Sequence, residues 1–275
     1  MEVINRIFIV SVVAAAAFLC CGCNTNAYDY DYLPVEEEQG DPDGKQEETE
    51  KVKEYTISGY EAFETDVKEL SSICFNKASD GLYAVSDEGK VYEIGFDGKT
   101  KSVLYDKSNH DWEGVEFSGK EILLMDEGES ALYKLQDGDI SRIAEIKIPD
   151  GGEKNKGPEG IMCVKDTVFV GNQCSPTRIV KYCLMAGKVC GYFDVKFVSK
   201  YISDLCYDKT DNTMWIVDSK GPAFYHSTLD GKLIATYKIP FVDQAEAIAV
   251  DRTKGIVWIG CDTSSKLYRI KLPQS

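Results

Sequence analysis

The 275-residue chain carries 46 Asp and Glu against 31 Lys and Arg, a formal net charge of −15, and 43% of its residues are hydrophobic. That supports a full-sized core and argues against a phosphate backbone or an anionic lipid surface as partner. It is compatible with divalent cations or cationic partners, and equally with simple solubility. Sixteen Tyr and eleven Phe lean towards β structure.

At the N-terminus, Arg6 precedes an apolar run from Ile7 to Leu19 that ends in Cys20-Cys21-Gly22-Cys23. The layout is that of a secretory signal over residues 1–22, and the run is short for a membrane-spanning helix. It resembles a bacterial lipoprotein signal, which implies a lipid anchor. Cys23, behind Gly22 and the small Cys21, is the expected lipidated residue. Cys20 and Cys21 are the alternatives, because Cys20 stands where such signals usually carry Leu. A cleaved, soluble product is the other reading of the run. Residues 23–52 follow, with Glu36-Glu37-Glu38, Asp41-Pro42-Asp43 and Glu47-Glu48 and no hydrophobic period. They read as an acidic, disordered tether, loosely resembling the export signal of surface lipoproteins in Bacteroidetes. The expected location is the bacterial cell envelope, at the periplasmic face or the cell surface.

Residues 53–275 repeat. A small or acidic pair precedes an apolar strand start at Ser71-Ser72-Ile73, Glu113-Gly114-Val115, Glu159-Gly160-Ile161, Ser203-Asp204-Leu205 and Glu246-Ala247-Ile248. The apolar members stand 42, 46, 44 and 43 residues apart, the length of a four-stranded propeller blade. Each repeat continues with a second apolar strand, such as Leu82–Val85 or Trp215–Val217. A polar turn follows, containing Asp87, Asp126, Asn172, Asp218 or Asp262, and then a third strand with an aromatic residue. Asp97-Gly98 and Asp230-Gly231 are hairpin turns into a fourth strand. The pattern predicts an all-β, five-bladed β-propeller.

The fifth repeat reaches its third strand at Ile270, and the sequence given ends at Ser275. The stretch Val52–Tyr60, with Tyr55-Thr56-Ile57 resembling Thr236–Ile239, is expected to supply the missing outer strand of the last blade. Such closure removes exposed sheet edges.

Seven Cys fall in the repeats, so they cannot all pair with one another. Cys74, Cys163 and Cys206 lie on innermost strands and read as small buried hydrophobes. Cys183 and Cys190 flank Ala186-Gly187 and would face each other across a tight hairpin. A disulfide there is permitted by secretion but sterically demanding, and both states stay open. Without a paired CxxC motif, thiolate metal binding is not expected.

In a propeller the residues entering the innermost strands converge on one mouth of the axial channel. Glu113, Glu159 and Glu246 would meet there, with Asp204 one place along in its blade and Asp87, Asp126, Asn172 and Asp218 on the surrounding loops. Converging carboxylates repel and need protons, cations or a metal. An all-oxygen set suits Ca2+, and a solvated acidic rim is the competing reading. The expected metal ligands are Glu113, Glu159, Asp204 and Glu246. Neither His110 nor His226 has a nucleophile motif beside it.

Leu70-Ser71-Ser72-Ile73 with Gly81–Gly89, Asp111-Trp112-Glu113-Gly114-Val115, Gly157-Pro158-Glu159-Gly160-Ile161 and Gln244–Val250 resemble successive blades of the SdiA-regulated family. The resemblance implies a five-bladed propeller, distantly like NHL repeats, with a calcium site. Ser203-Asp204 departs from the Glu-Gly pattern, and Ala247 replaces Gly. The expectation is a monomeric calcium-binding envelope lipoprotein serving as a binding or scaffold module. Its ligand, a protein or a small molecule, would sit at the channel mouth, and nucleic acid is excluded. The alternative is a calcium-dependent hydrolase, resembling propeller lactonases that hold Ca2+ at the same channel position.

Overall fold

The computed structural model describes residues 51–107, 109–151 and 156–273. The signal over 1–22, Cys23 and the tether up to residue 50 lie outside the described residues. Among the described residues, twenty-one strands and no helix make up the fold. Four strands form each blade, from the axis outwards. Blade one is β3 (Leu70–Phe75), β4 (Leu82–Ser86), β5 (Lys90–Ile94) and β6 (Thr100–Asp106). Blade two is β7 (Trp112–Phe117), β8 (Ile122–Asp126), β9 (Ala131–Gln136) and β10 (Asp139–Glu145). Blade three is β11 (Pro158–Val164), β12 (Thr167–Asn172), β13 (Arg178–Cys183) and β14 (Lys188–Asp194). Blade four is β15 (Ile202–Asp208), β16 (Thr213–Asp218), β17 (Ala223–Thr228) and β18 (Leu233–Lys238). Blade five is β19 (Ala245–Asp251), β20 (Ile256–Cys261) and β21 (Lys266–Lys271), completed by β2 (Tyr60–Glu64). Each blade is an antiparallel meander, so the predicted five-bladed propeller is the fold.

Burial explains why these segments are strands. Second strands are buried on both faces, as in β4 and β16, and read as continuous apolar runs. The outer strand β14 alternates exposed and half-buried positions over its whole length, the period-2 pattern of a sheet with one wet face. Five hydrophobic clusters fill the five gaps between neighbouring blades. In the gap between blades five and one, Trp258 stacks on Phe96 at 5.0 Å beside buried Leu70, Leu82 and Ala247. Between blades four and five, fully buried Trp215 and Phe224 pack around Tyr237. Truncating one of these aromatic residues to Ala costs about 3–5 kcal/mol.

The N-terminal segment closes the ring, but one strand later than the sequence suggested. It is β2 that pairs with β21, from Tyr60 opposite Ile270 to Glu64 opposite Lys266. The earlier strand β1 (Lys53–Thr56), which includes Tyr55 and Thr56, instead lies parallel to β18 and extends blade four to five strands. Its likeness to Thr236–Ile239 reflects adjacency rather than equivalence. Tyr55 stacks on Tyr237 at 4.9 Å, and the Ile57 amide donates to the Lys238 carbonyl. Both edges at the seam are thus paired by one stretch of chain.

A disulfide joins Cys183 and Cys190. The two are not directly opposite in register: Cys183 pairs with Lys188, while Cys190 sits in a bulge facing the Lys181–Tyr182 step. The bulge turns its side chain towards Cys183. Cys74, Cys163 and Cys206 lie on the innermost strands, as expected, and are free thiols; Cys74 is buried, whereas Cys163 and Cys206, expected to be buried too, are partly exposed.

A candidate cation-binding mouth

All five innermost strands start at the same end of the channel, here termed the upper mouth. Each contains a register shift just inside its start: between Leu70 and Ser72, Trp112 and Gly114, Pro158 and Ile161, Ile202 and Asp204, and Ala245 and Ala247. Bulges re-aim the residue they carry. The residues released from the ladder are Ser71, Glu113, Glu159 with Gly160, Ser203 and Glu246. Repeated bulging is therefore the local device that turns the three glutamates out of register at one mouth. The Gly after Glu159 is required by close packing: a Cβ on Gly160 would fall 2.3 Å from the Asp204 Cα.

Two further rings surround this one. The residue that follows the second strand in blades one, two, three and five faces the mouth, giving Asp87, Glu127, Gln173 and Asp262. The residue two places before the bulge gives Glu69, Asp111 and Gln244. Carboxylate oxygens of Asp111, Glu113 and Glu127 lie within 4.8 Å of one another. The Glu159 Oε1 accepts from the Gln173 Nε2 at 2.7 Å, and the Glu246 Oε1 from the Gln244 Nε2 at 2.5 Å. The Glu127 Oε1 accepts from the Gly157 amide at 2.8 Å. Glu159 is only 6% exposed.

The electrostatics follow from this crowding. Burial, and then the charges of Asp111, Glu246, Glu127 and Asp87, hold the Glu113 carboxyl well above the usual carboxylate range. Glu159 is raised by burial and then by Glu113, Glu127, Glu246 and Asp111. Burial pushes Glu246 up to about 7, partly offset by the hydrogen bond from Gln244. Asp87 is likewise raised to about 7 by burial and by its hydrogen bond and charge interaction with Glu69. Asp111 and Glu127 rise as well, chiefly by burial. Lys220 is a cation that tempers Glu246 and Asp262. Two unit charges 4.8 Å apart repel by roughly 3 kcal/mol at an effective dielectric near 20.

The structure therefore brings Glu113, Glu159 and Glu246 to one mouth and places Asp204 elsewhere. Asp204 points down the channel and is fully buried. Its Oδ1 accepts from the Ser72 hydroxyl at 3.0 Å and the Leu205 amide at 2.9 Å. Its Oδ2 accepts from the Ile248 amide at 2.9 Å and the Ile73 amide at 3.4 Å. The Ser72 hydroxyl in turn accepts from the Val115 amide. One carboxylate thus ties the inner strands of blades four, one and five, and through Ser72 blade two, and plugs the channel. The blade-four counterpart of the glutamates is Ser203, whose buried hydroxyl has no hydrogen-bond partner.

Asp126, Asn172 and Asp218 turn away from the mouth and organise loops. Asp218 accepts from the amides of Ser199, Lys200, Tyr201, Lys220 and Gly221. Asn172 donates to the carbonyls of Cys174 and Pro176. Asp126 pairs with the His110 ring at 2.7 Å, and that ring stacks on Trp112 at 4.3 Å. His226, on the third strand of blade four, stacks on Trp215 and contacts the Thr213 hydroxyl of the second strand. The residues missed from sequence are Asp111, Glu127, Glu69, Gln173 and Gln244. Their signal is positional: each holds a fixed offset from the bulge or from the end of a second strand.

Among solved structures, the glutaminyl cyclase of Myxococcus xanthus aligns with a TM-score of 0.62 at 11% identity, over 80% of this chain and 98% of that one. A gluconolactonase from Xanthomonas campestris aligns with a TM-score of 0.54 at 13% identity, over 79% and 91%. At these identities the likeness is one of fold. No curated protein sequence matches. The blade motifs match the SdiA-regulated family over residues 47–189 and 193–275, and the chain belongs to that family.

Proposed function

We propose that this protein is a monomeric cell-envelope lipoprotein, anchored through Cys23, whose propeller holds one Ca2+ at the upper mouth and presents that face to a protein or small-molecule ligand. The observation that carries the reading is the half-buried convergence of Asp111, Glu113 and Glu127 within 4.8 Å, backed by buried Glu159 and by Glu246. The donor set is all oxygen, which matches the hard, high-coordination preference of Ca2+. The orphaned Ser203 hydroxyl supplies a further neutral oxygen at the same ring. Asp111 and Glu127 take the place in the shell first assigned to Asp204, whose oxygens are already occupied by protein donors.

The test is calcium titration of the purified propeller by calorimetry and thermal shift. Calcium should raise the melting temperature, because a ligand that binds only the native state stabilises it by mass action. Glu113→Gln and Glu159→Gln should each weaken the shift while keeping the fold. Identical melting with and without calcium would mark the mouth as a solvated acidic rim. Turnover of esters or lactones that is lost on chelation would replace the binding-module reading with a hydrolase. Cys23→Ala should release the protein from membranes; full retention in that variant would reject the anchor site.

A further inference from the structure

The opposite end of the channel is chemically different. Below the Asp204 plug, the ends of the inner strands surround a cavity of about 620 Å³, inside the range of small-molecule sites. Its roof is apolar: Ile73 and Leu205 are almost fully buried and Val250 is 7% exposed. Three free thiols, from Cys74, Cys163 and Cys206, line its wall with Glu116. Burial, and then the Asp204 carboxylate behind it, hold Glu116 up at about 8. That raised value lowers the negative charge it brings to the cavity near neutral pH.

The rim carries the unexpected charge. Lys77, Lys165 and Lys209 line the opening with exposed side chains. No carboxylate of the described residues pairs with any of them. The acids at this mouth are already taken: Asp208 is 3.4 Å from Arg252, and Asp251 is 2.9 Å from Lys254. In a chain of net charge −15, three unpaired ammonium groups around an apolar-roofed cavity form a local attractor for anions.

We propose that this lower mouth binds small amphipathic organic anions, the acid group held by Lys77, Lys165 and Lys209 and the apolar body enclosed beneath Ile73, Leu205 and Val250. The unpaired cations are point charges, while the guanidinium in the lining, Arg252, is held by Asp208 and Asp211; this suits a carboxylate or sulfonate head. The enclosed end meets apolar carbon, polarisable sulfur and one acid proton. The site is independent of the calcium reading, since it lies on the far side of Asp204.

The probe is 1-anilinonaphthalene-8-sulfonate, an aromatic sulfonate whose fluorescence rises on enclosure. Saturable enhancement is expected, displaced by decanoate but not by decylamine, and unchanged by calcium. Reversing the three exposed lysines (K77E, K165E, K209E) should weaken decanoate competition at least about tenfold at an unaltered melting temperature. Neutralising Lys165 alone (Lys165→Gln) should weaken it less. Absence of a decanoate-displaceable signal would overturn the proposal. So would equal displacement by decylamine, or unchanged binding in the triple variant.

Discussion

Raising the pH of the metal-free protein from about 4.5 to 8 should destabilise it. Burial lifts the Glu246 carboxyl from 4.5 to about 7 in the folded chain. The folded state therefore holds a proton that the unfolded chain has already released across this window. Stability must fall as pH rises through it, reaching its full loss above about 7. A displacement of that size corresponds to about 3 kcal/mol from this one residue. Glu113 and Glu159 act in the same direction, and Asp87, raised to about 7 but more open to solvent, adds a smaller share. At roughly 2–4 °C per kcal/mol for a domain of this size, the melting temperature should drop by about 6–12 °C. Calcium competes with those protons, so its stabilisation should be small at pH 5 and large at pH 8. The assay is calorimetric melting across pH in resin-stripped buffer, with and without calcium, on the parent and on Glu246→Gln, whose metal-free slope should be shallower. A metal-free protein that gains stability from pH 5 to 8, or a calcium shift equal at both ends, would refute the electrostatic reasoning.

Asp204→Ala should cost on the order of 4 kcal/mol or more, since it strands three amides and a hydroxyl inside the ring, whereas Asp204→Asn, keeping one acceptor oxygen, should cost about half as much; equal denaturation midpoints for the two would contradict the plug. Removing residues 1–58 deletes β1 only. Removing 1–65 also deletes β2 and unpairs β21, and should lower stability by a further ~3 kcal/mol or so, judged by urea melts of both truncations. Replacing Cys183 and Cys190 together by Ser opens a bridge with a sequence separation of 7 and should cost about 2 kcal/mol by chain entropy, a loss that reduction of the parent by dithiothreitol should reproduce.

The blades were legible because each propeller gap needs the same apolar run at the same distance, and that run survives as a spacing of 42 to 46 residues. The three glutamates were legible for a related reason: they precede that run at a constant offset. The rest of the mouth was hidden by a frame ambiguity of one residue. Asp87 and Asp262 face the channel, yet Asp126 and Asp218 are the last residues of their strands and face the loops. Asp in either frame looks alike in a sequence, and only the hydrogen bonds separate them. Asp204 was misleading for the same reason. It stands where Gly160 stands in blade three, and the space a Cβ on Gly160 would need is the space Asp204 fills. The closing strand moved by one element because β1 and β2 both have strand-forming residues, and sequence does not say which edge each one meets.

The position of Asp204 has a consequence for how both mouths are read. Its oxygens accept from Ser72, Ile73, Leu205 and Ile248, so a fully buried, fully hydrogen-bonded side chain stands between the acidic mouth and the lower cavity. Above Asp204, half-buried and buried carboxylates press on one another; below it, exposed Lys77, Lys165 and Lys209 ring the opening. Asp204 separates the two ends by filling the space between them, not by screening, since its charge is felt by Glu116 below it. A cation above and an organic anion below then need not compete for the same space. The residue that departs from the Glu-Gly pattern is thus the one that keeps the two ends of the ring distinct.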